Sequence, residues 1–285
     1  MDLLLNKRTE ARLLGFCNGA SHAVLCTGPA GAGKATAARF VASQLLKKPI
    51  EHIAEHPYIS IQGSESALTI DDVRKVKSFL RLKVPGKAQV NRIVILENVD
   101  SAGHEAQNAL LKFIEEPPVG TVLILTASKP QQVLPTVRSR TESIEILPIS
   151  ESEAQAYFSA SHAQNEVKKA FLLSQGYAGL MNSILNGEQT LLTEQIESAK
   201  QALTASPFER LQTVDNLAKD KEKLAYFLSA LERICTSGLS AAGGKNNLSA
   251  IARWKKSLKA VLSAQQALSQ NGNAKLVMTQ LFLHL

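Results

Sequence analysis

A run rich in Val and Leu, His22 to Thr27, leads straight into Gly28-Pro29-Ala30-Gly31-Ala32-Gly33-Lys34-Ala35-Thr36. Glycines at 28 and 33 followed by Lys34 have the G-x-x-x-x-G-K spacing of a phosphate-cradling loop. In such a loop, backbone N–H groups and a helix amino terminus face the phosphate oxygens, and the lysine ammonium neutralises the β and γ phosphates. Gly28, Gly31, Gly33 and Lys34 are therefore candidate nucleotide-binding residues. Hydrolysis asks for more. The hydroxyl that follows the lysine holds Mg²⁺ in a working loop, and Ala35 has no oxygen to offer. Thr36 comes one position later, about 100° further round a helix, so it counts as a candidate nucleotide contact and not as a metal ligand.

A second polar pair, Glu97 and Asn98, ends the apolar run Asn91 to Leu96. That is where an acidic pair would bind the metal and polarise an attacking water. Glu97 keeps a carboxylate, which either reaches the nucleotide site or simply solvates a turn. Asn98 is a neutral amide and cannot take a proton from water. Two losses, at a metal ligand and at the general base, thus fall on one reaction while the phosphate-binding backbone is spared. The expectation is a chain that binds ATP weakly or not at all and does not turn it over.

These groups need elements to hold them in place. Up to Leu147 the sequence alternates β-rich runs with helical patterns, which predicts strand-helix-strand units and a parallel sheet. The runs His22–Gly28, Tyr58–Gln62, Asn91–Asn98, Thr121–Ala127 and Glu142–Leu147 are dense in Val, Ile and Leu, as buried strands are. Helices are predicted over Lys34–Leu46, over Thr69–Leu82 with Thr69 as cap, and over Gly103–Glu116, stopped by Pro117 and Pro118. After Leu147 the β signal vanishes. Amphipathic helical segments follow, separated by breakers such as Gln175–Gly179 and Ala241–Asn247. The predicted fold class is α/β: a parallel-sheet, nucleotide-binding-like module over 1–147, a small helical module over 148–187 and an all-α domain over 188–285.

The chain has 285 residues, long enough for more than one buried core. With 45% hydrophobic and 20% charged residues it reads as a globular protein, not a disordered or fibrous one. No apolar run is long enough to span a bilayer, and the amino-terminal stretch has charges at helical spacing where a secretory segment would be apolar. A cytoplasmic location and no membrane partner are expected. A net charge of +7 suits an acidic partner such as nucleic acid without naming a site. Trp254, in the basic run Arg253–Lys259, either stacks on a base or packs that helix. Cys17, Cys26 and Cys235 form no disulfide framework or C-x-x-C pair and are expected as buried thiols. His52 and His56 lack a third ligand, so no metal site is expected there.

His104–Pro118, "HEAQNALLKFIEEPP", followed by Leu125–Thr141, "LTASKPQQVLPTVRSRT", closely resembles the clamp-loader branch of the AAA+ ATPases. The phosphate loop, His56-Pro57 before the second strand and the last segment, Asn273–Leu285, strengthen the resemblance. It is specific over about Ser21 to Pro148 and general beyond. The resemblance implies a RecA-like AAA+ module, a helical lid and a collar domain. The implied partners are ATPase subunits of the gamma or tau kind, a delta-like subunit, and a sliding clamp on primed DNA. In this family a Ser-Arg-Cys turn supplies an arginine to a neighbouring subunit's ATP site. Ser139-Arg140-Thr141 matches with Thr141 for Cys, which assigns Arg140 as a catalytic residue acting in trans, with Arg138 as competitor.

Departures from the family pattern point one way. A four-cysteine zinc module present in many relatives is missing, so no zinc is expected. Leu180 and Met181 stand where active relatives have a phosphate-sensing arginine, and a polar sensor after the fourth strand survives only as Thr126 or Ser128. These features suit a stator better than a motor. Gln107, Asn108 and Lys112 either line a DNA channel or, in the case of this helix's apolar stripe Ala106, Ala109, Leu110 and Phe113, give way to packing as the explanation. Three classes stand: a non-hydrolysing scaffold lending Arg140, a motor using Glu97 for metal, and a small-molecule phosphotransferase. The last lacks a second substrate site in the helical half.

Overall fold

The computed structural model describes residues 3–63, 68–82 and 90–285. The chain divides into two compact units, Met1–Ser150 with Tyr177–Gly179, and Glu151–Gly176 with Leu180–Leu285. The first unit runs α1 (Lys7–Asn18), β1 (Ala23–Thr27), α2 (Lys34–Leu46), β2 (Ile59–Gln62), α3 (Ile70–Leu80), β3 (Arg92–Leu96), α4 (His104–Glu115), β4 (Thr121–Ala127), α5 (Pro135–Arg138) and β5 (Glu142–Glu145). The five strands are parallel in the order β2-β3-β4-β1-β5. All five lie within the runs predicted from sequence, and α2 has the predicted bounds.

Strand β1 is buried along its whole length, and so are β3 and β4. The alternation of side chains explains why these strands read as continuous apolar runs. Leu25, Val94, Leu96, Leu123 and Leu125 point to one face, into a core with Val76, Leu110 and Ile114 of α3 and α4. Val24, Cys26, Ile93, Ile95 and Ile124 point to the other, into a core with Leu13 and Phe16 of α1 and Ala37, Ala38 and Val41 of α2. Helix α3 starts as expected at Thr69. Its hydroxyl accepts from the Asp72 N–H while the Asp72 carboxylate accepts from the Thr69 N–H and O–H, a closed capping box. The hydrogen bond from Lys75, and after it those from Thr69, hold the Asp72 carboxyl down at about 2.

The second unit is helical: α6 (Glu151–Phe158), α7 (Gln164–Ser174), α8 (Ala178–Leu185), α9 (Leu191–Thr204), α10 (Pro207–Lys219), α11 (Lys221–Gly244), α12 (Leu248–Ser269) and α13 (Ala274–His284). Residues 177–179, at the start of α8, group with the sheet unit. Polar side chains cap the later helices: Thr190, Ser206, Asp220, Asn247 and Asn273 each accept from a first-turn N–H. Phe227 and Phe282 meet edge to face in the core, 6.0 Å between centroids. Arg233 is buried and donates to the Ser174 carbonyl at the end of α7. Trp254 of α12 packs on Gly238 of α11, where an added Cβ would lie 2.3 Å from the indole. The packing alternative therefore accounts for Trp254, with Arg253 over its ring.

Candidate functional site

The carboxyl ends of β1, β3 and β4 open side by side because β4 lies between β1 and β3. In open parallel sheets the crevice at such a point is where ligands bind. From β1 the chain enters the loop Gly28–Gly33, and Gly33, at φ 93°, adopts the left-handed backbone that starts α2. Gly31 is also left-handed, at φ 80°. Gly179 closes on this loop within the same unit, and a Cβ there would lie 2.7 Å from the Gly33 nitrogen and 2.8 Å from the Gly31 oxygen. Only glycine fits there.

Lys34 turns back into the loop and is buried. Its Nζ donates to the carbonyls of Gly28 at 2.9 Å and Pro29 at 3.0 Å. Burial lowers its pKa to about 8, with the charges of Asp100, Cys26 and Glu97 opposing the drop. Thr36 is exposed, whereas Ala37 and Ala38 bury the inner face of α2.

Glu97 is 7% exposed and does not stand open to the loop. Arg39, one turn beyond Lys34 on α2, donates from Nη2 to its Oε1 at 3.2 Å. Burial raises the Glu97 pKa, and the charges of Arg39 and Lys34 oppose that rise. Asn98 sits in the left-handed region at φ 55° and is tied at two points: its backbone N–H donates to Thr126 Oγ1 at 3.1 Å and its Nδ2 to the Gly63 carbonyl at 3.1 Å. Thr126, one of the two sensor candidates, is thus the β4 residue that faces the end of β3.

Arg39 and Asp100 escaped the reading of the sequence. Asp100 accepts the Lys129 N–H on Oδ2 at 2.8 Å, while its buried Oδ1 has no hydrogen-bond partner among the described residues. An acid three residues after Glu97 was a visible signal. Arg39 gave none, because a helix position next to an alanine-rich face looks solvated until the sheet brings Glu97 to it.

The residues present suit the phosphates of a nucleotide, and the two positions read for its metal offer it less. The loop backbone, the α2 amino terminus and Lys34 provide positive charge for phosphate. Ala35 offers no ligand for Mg²⁺, and the Glu97 carboxylate already has a guanidinium on it. Among the described residues no group of three potential ligands clusters anywhere, and His52, in a 3-10 turn, and His56, whose Nδ1 accepts from the Tyr58 N–H, make separate contacts.

Arg140 lies beyond the sheet ends, after α5. Val137 anchors α5 in the core at 1% exposure, and Thr141 Oγ1 donates back to the Val137 carbonyl. The Arg140 side chain is 41% exposed; Nε donates to Glu115 Oε1 at 2.6 Å and Nη1 to the Thr136 carbonyl at 3.1 Å. Gln107 is buried instead of lining a channel: its Nε2 donates to the carbonyls of Ala102 and Gln132, and its Oε1 accepts from the Leu134 N–H. Asn108 and Lys112 are exposed on the same helix. Leu180 and Met181 are core residues of the helical unit.

A parallel sheet in this order, a strand-loop-helix phosphate cradle, an acid closing the third strand and an arginine after the fourth define a RecA-like module of the AAA+ class. Residues 17–150 match the family model described as DNA polymerase III, delta subunit. The delta-prime subunit of DNA polymerase III from Pseudomonas aeruginosa is 30% identical over 213 residues, 63% of this chain and 64% of that one. The tau subunit from Bacillus subtilis is 26% identical over 189 residues, 61% of this chain and 29% of the relative. A gamma-subunit-related protein of Thermotoga maritima has the same fold, with a TM-score of 0.58 at 18% identity, covering 97% of this chain and 98% of that one. The matched region thus spans less than two thirds of either curated relative. Over its sheet unit the chain is thus similar to the DNA polymerase III delta-subunit family, and along 63% of its length to a delta-prime subunit.

Proposed function

We propose that this chain is a non-hydrolysing stator of a sliding-clamp loader in DNA replication. It assembles in the cytoplasm with gamma- or tau-like ATPase subunits and a delta-like subunit, and lends Arg140 in trans to a neighbour's ATP site while a clamp is loaded onto primed DNA. Its own loop holds ATP weakly or not at all, without metal, and no zinc takes part. Homologues support the coarser statement, a clamp-loader-family subunit acting in replication.

The observation that carries the reading is the state of the two groups at the end of β3. Glu97 has its charge met by Arg39, and Asn98 has its amide committed to the Gly63 carbonyl. Neither of these two groups is then free to take a proton from water. Arg140, in contrast, is presented on the surface, where a guanidinium can stabilise charge on a transferring phosphoryl group.

The test has two arms. Phosphate release by the purified chain with ATP and Mg²⁺ should not exceed background, and turnover abolished by Lys34→Ala would return the chain to the motor class. In a complex reconstituted with partner ATPase subunits, clamp and primed DNA, Arg140→Ala should assemble normally and lose most of the DNA-triggered ATPase contributed by the adjacent site. Unchanged ATPase in that complex would overturn the finger.

A further inference from the structure

Helix α4 holds the segment that carries Arg140 at both of its ends. Near its start Gln107, 2% exposed, binds the backbone on the near side of α5 through the Gln132 carbonyl and the Leu134 N–H. At its last residue Glu115 binds the arginine itself on the far side, Oε1 to Nε at 2.6 Å. Between them Val137 is sunk in the core formed by the α3, α4 side of the sheet. The short α5 is therefore anchored before it, within it and after it, and the arginine that follows starts from a backbone held by these contacts.

A long side chain on a fixed backbone still has many rotamers, and ordering them costs affinity for whatever the guanidinium meets. A guanidinium has five N–H donors. In Arg140, Nε is taken by Glu115, and Nη1 by the Thr136 carbonyl with Ser139 Oγ at 3.4 Å. The Nη2 amino group makes no hydrogen bond among the described residues. One terminal group is thus left to donate while the other two nitrogens fix its direction.

We propose that Glu115 is a positioning residue for Arg140: its carboxylate holds Nε so that Nη2 is presented, pre-ordered, to a phosphate of the neighbouring subunit. This rests on the finger reading of Arg140 given above. Stability is not what the pair supplies, since side chains exposed by 41% and 45% form an ion pair of little net worth. Substitution of Glu115 should accordingly leave the fold intact and act on catalysis alone.

The experiment compares the reconstituted complex, with ATP, clamp and primed DNA, carrying Glu115→Ala, Glu115→Gln, Arg140→Ala or the Glu115→Ala/Arg140→Ala pair. Glu115→Ala should lower kcat for the triggered ATPase by about 10- to 100-fold, the scale of a misplaced reacting group, with KM for ATP unchanged. Glu115→Gln keeps an oxygen to accept from Nε and should recover most of that loss. In the Arg140→Ala background, Glu115→Ala should change nothing further. Loss in Arg140→Ala with wild-type kcat in Glu115→Ala would overturn the positioning role and leave the finger standing. Wild-type kcat in both would sink the finger itself. Equal losses in Glu115→Ala and Glu115→Gln would point to charge and not to the hydrogen bond, also against the proposal.

Discussion

The phosphate loop and the arginine segment belong to one sheet unit and carry the same kind of charge, yet they are built in opposite ways. At the loop, three polar groups are turned inward. Lys34 is bonded to the loop's own carbonyls, Glu97 to Arg39, and Asn98 to Gly63 and Thr126. At the arginine segment the scaffold is buried but the guanidinium stands in solvent. A group satisfied internally has less left for chemistry, because each new contact must first break an old one. A cation held on a rigid support and facing water is placed to act on another molecule.

The sharpest way to break that contrast is to ask where stability and function part company. Arg140→Ala should cost the triggered ATPase on the order of 10²-fold or more, while unfolding in denaturant shifts by no more than about 0.5 kcal/mol, the range for a surface substitution. A large stability loss would mean that Arg140 is a structural strut.

Gly63→Ala should do the reverse. Gly63 has φ 80°, and a Cβ there would lie 2.3 Å from the Glu97 carbonyl oxygen. Left-handed strain adds about 1–2 kcal/mol and the clash about 1–3, so a loss of about 2–5 kcal/mol is expected in denaturant unfolding. A variant as stable as the parent would show that the end of β3 is not held as tightly as described.

Arg39→Met leaves Glu97 buried without its partner and should destabilise by about 1–3 kcal/mol, discounted because Arg39 is 31% exposed. Glu97→Gln in the same chain should restore most of that. If the double variant is no better than the single one, the ion pair is not what holds Glu97.

The smallest effect concerns pH. With Lys34 lowered from 10.5 to about 8, the folded chain gives up that proton before the unfolded chain does. Lys34's contribution to stability therefore rises between about pH 8 and 10.5, while any anion binding it supports is lost over the same range. Weak ATP binding, measured by equilibrium dialysis, should fall roughly tenfold from pH 7 to 9, towards the level of Lys34→Ala. Burial pushes the thiols of Cys17, Cys26 and Cys235 up to about 11, 12 and 11. They act oppositely on stability: above about pH 9 the unfolded chain sheds protons that the folded one keeps, and stability falls. A pH-independent ATP affinity would remove Lys34 from the site.

Much of this was written in the order of residues. Buried strands betray themselves as unbroken apolar runs because both faces of a parallel sheet are covered, and a G-x-x-x-x-G-K loop between strand and helix follows from which backbone angles glycine permits. The cap Thr69 was equally readable, since a side-chain acceptor must meet first-turn N–H groups within the same few residues. That no hydroxyl stands at 35 and no carboxylate at 98 needed only the identities of Ala and Asn.

What folding alone decided is which groups meet across long stretches of chain. Arg39 and Glu97 are 58 positions apart, and their pairing depends on β1 and β3 ending side by side across β4. Gln107 reads as one more polar residue on a helix until the turn before α5 closes over it. Glu115 looks like a solvated helix end until the chain after β4 brings Arg140 back to it. Local periodicity reports backbone preference and burial, but a charge says nothing of its partner until the topology has set the distance between them.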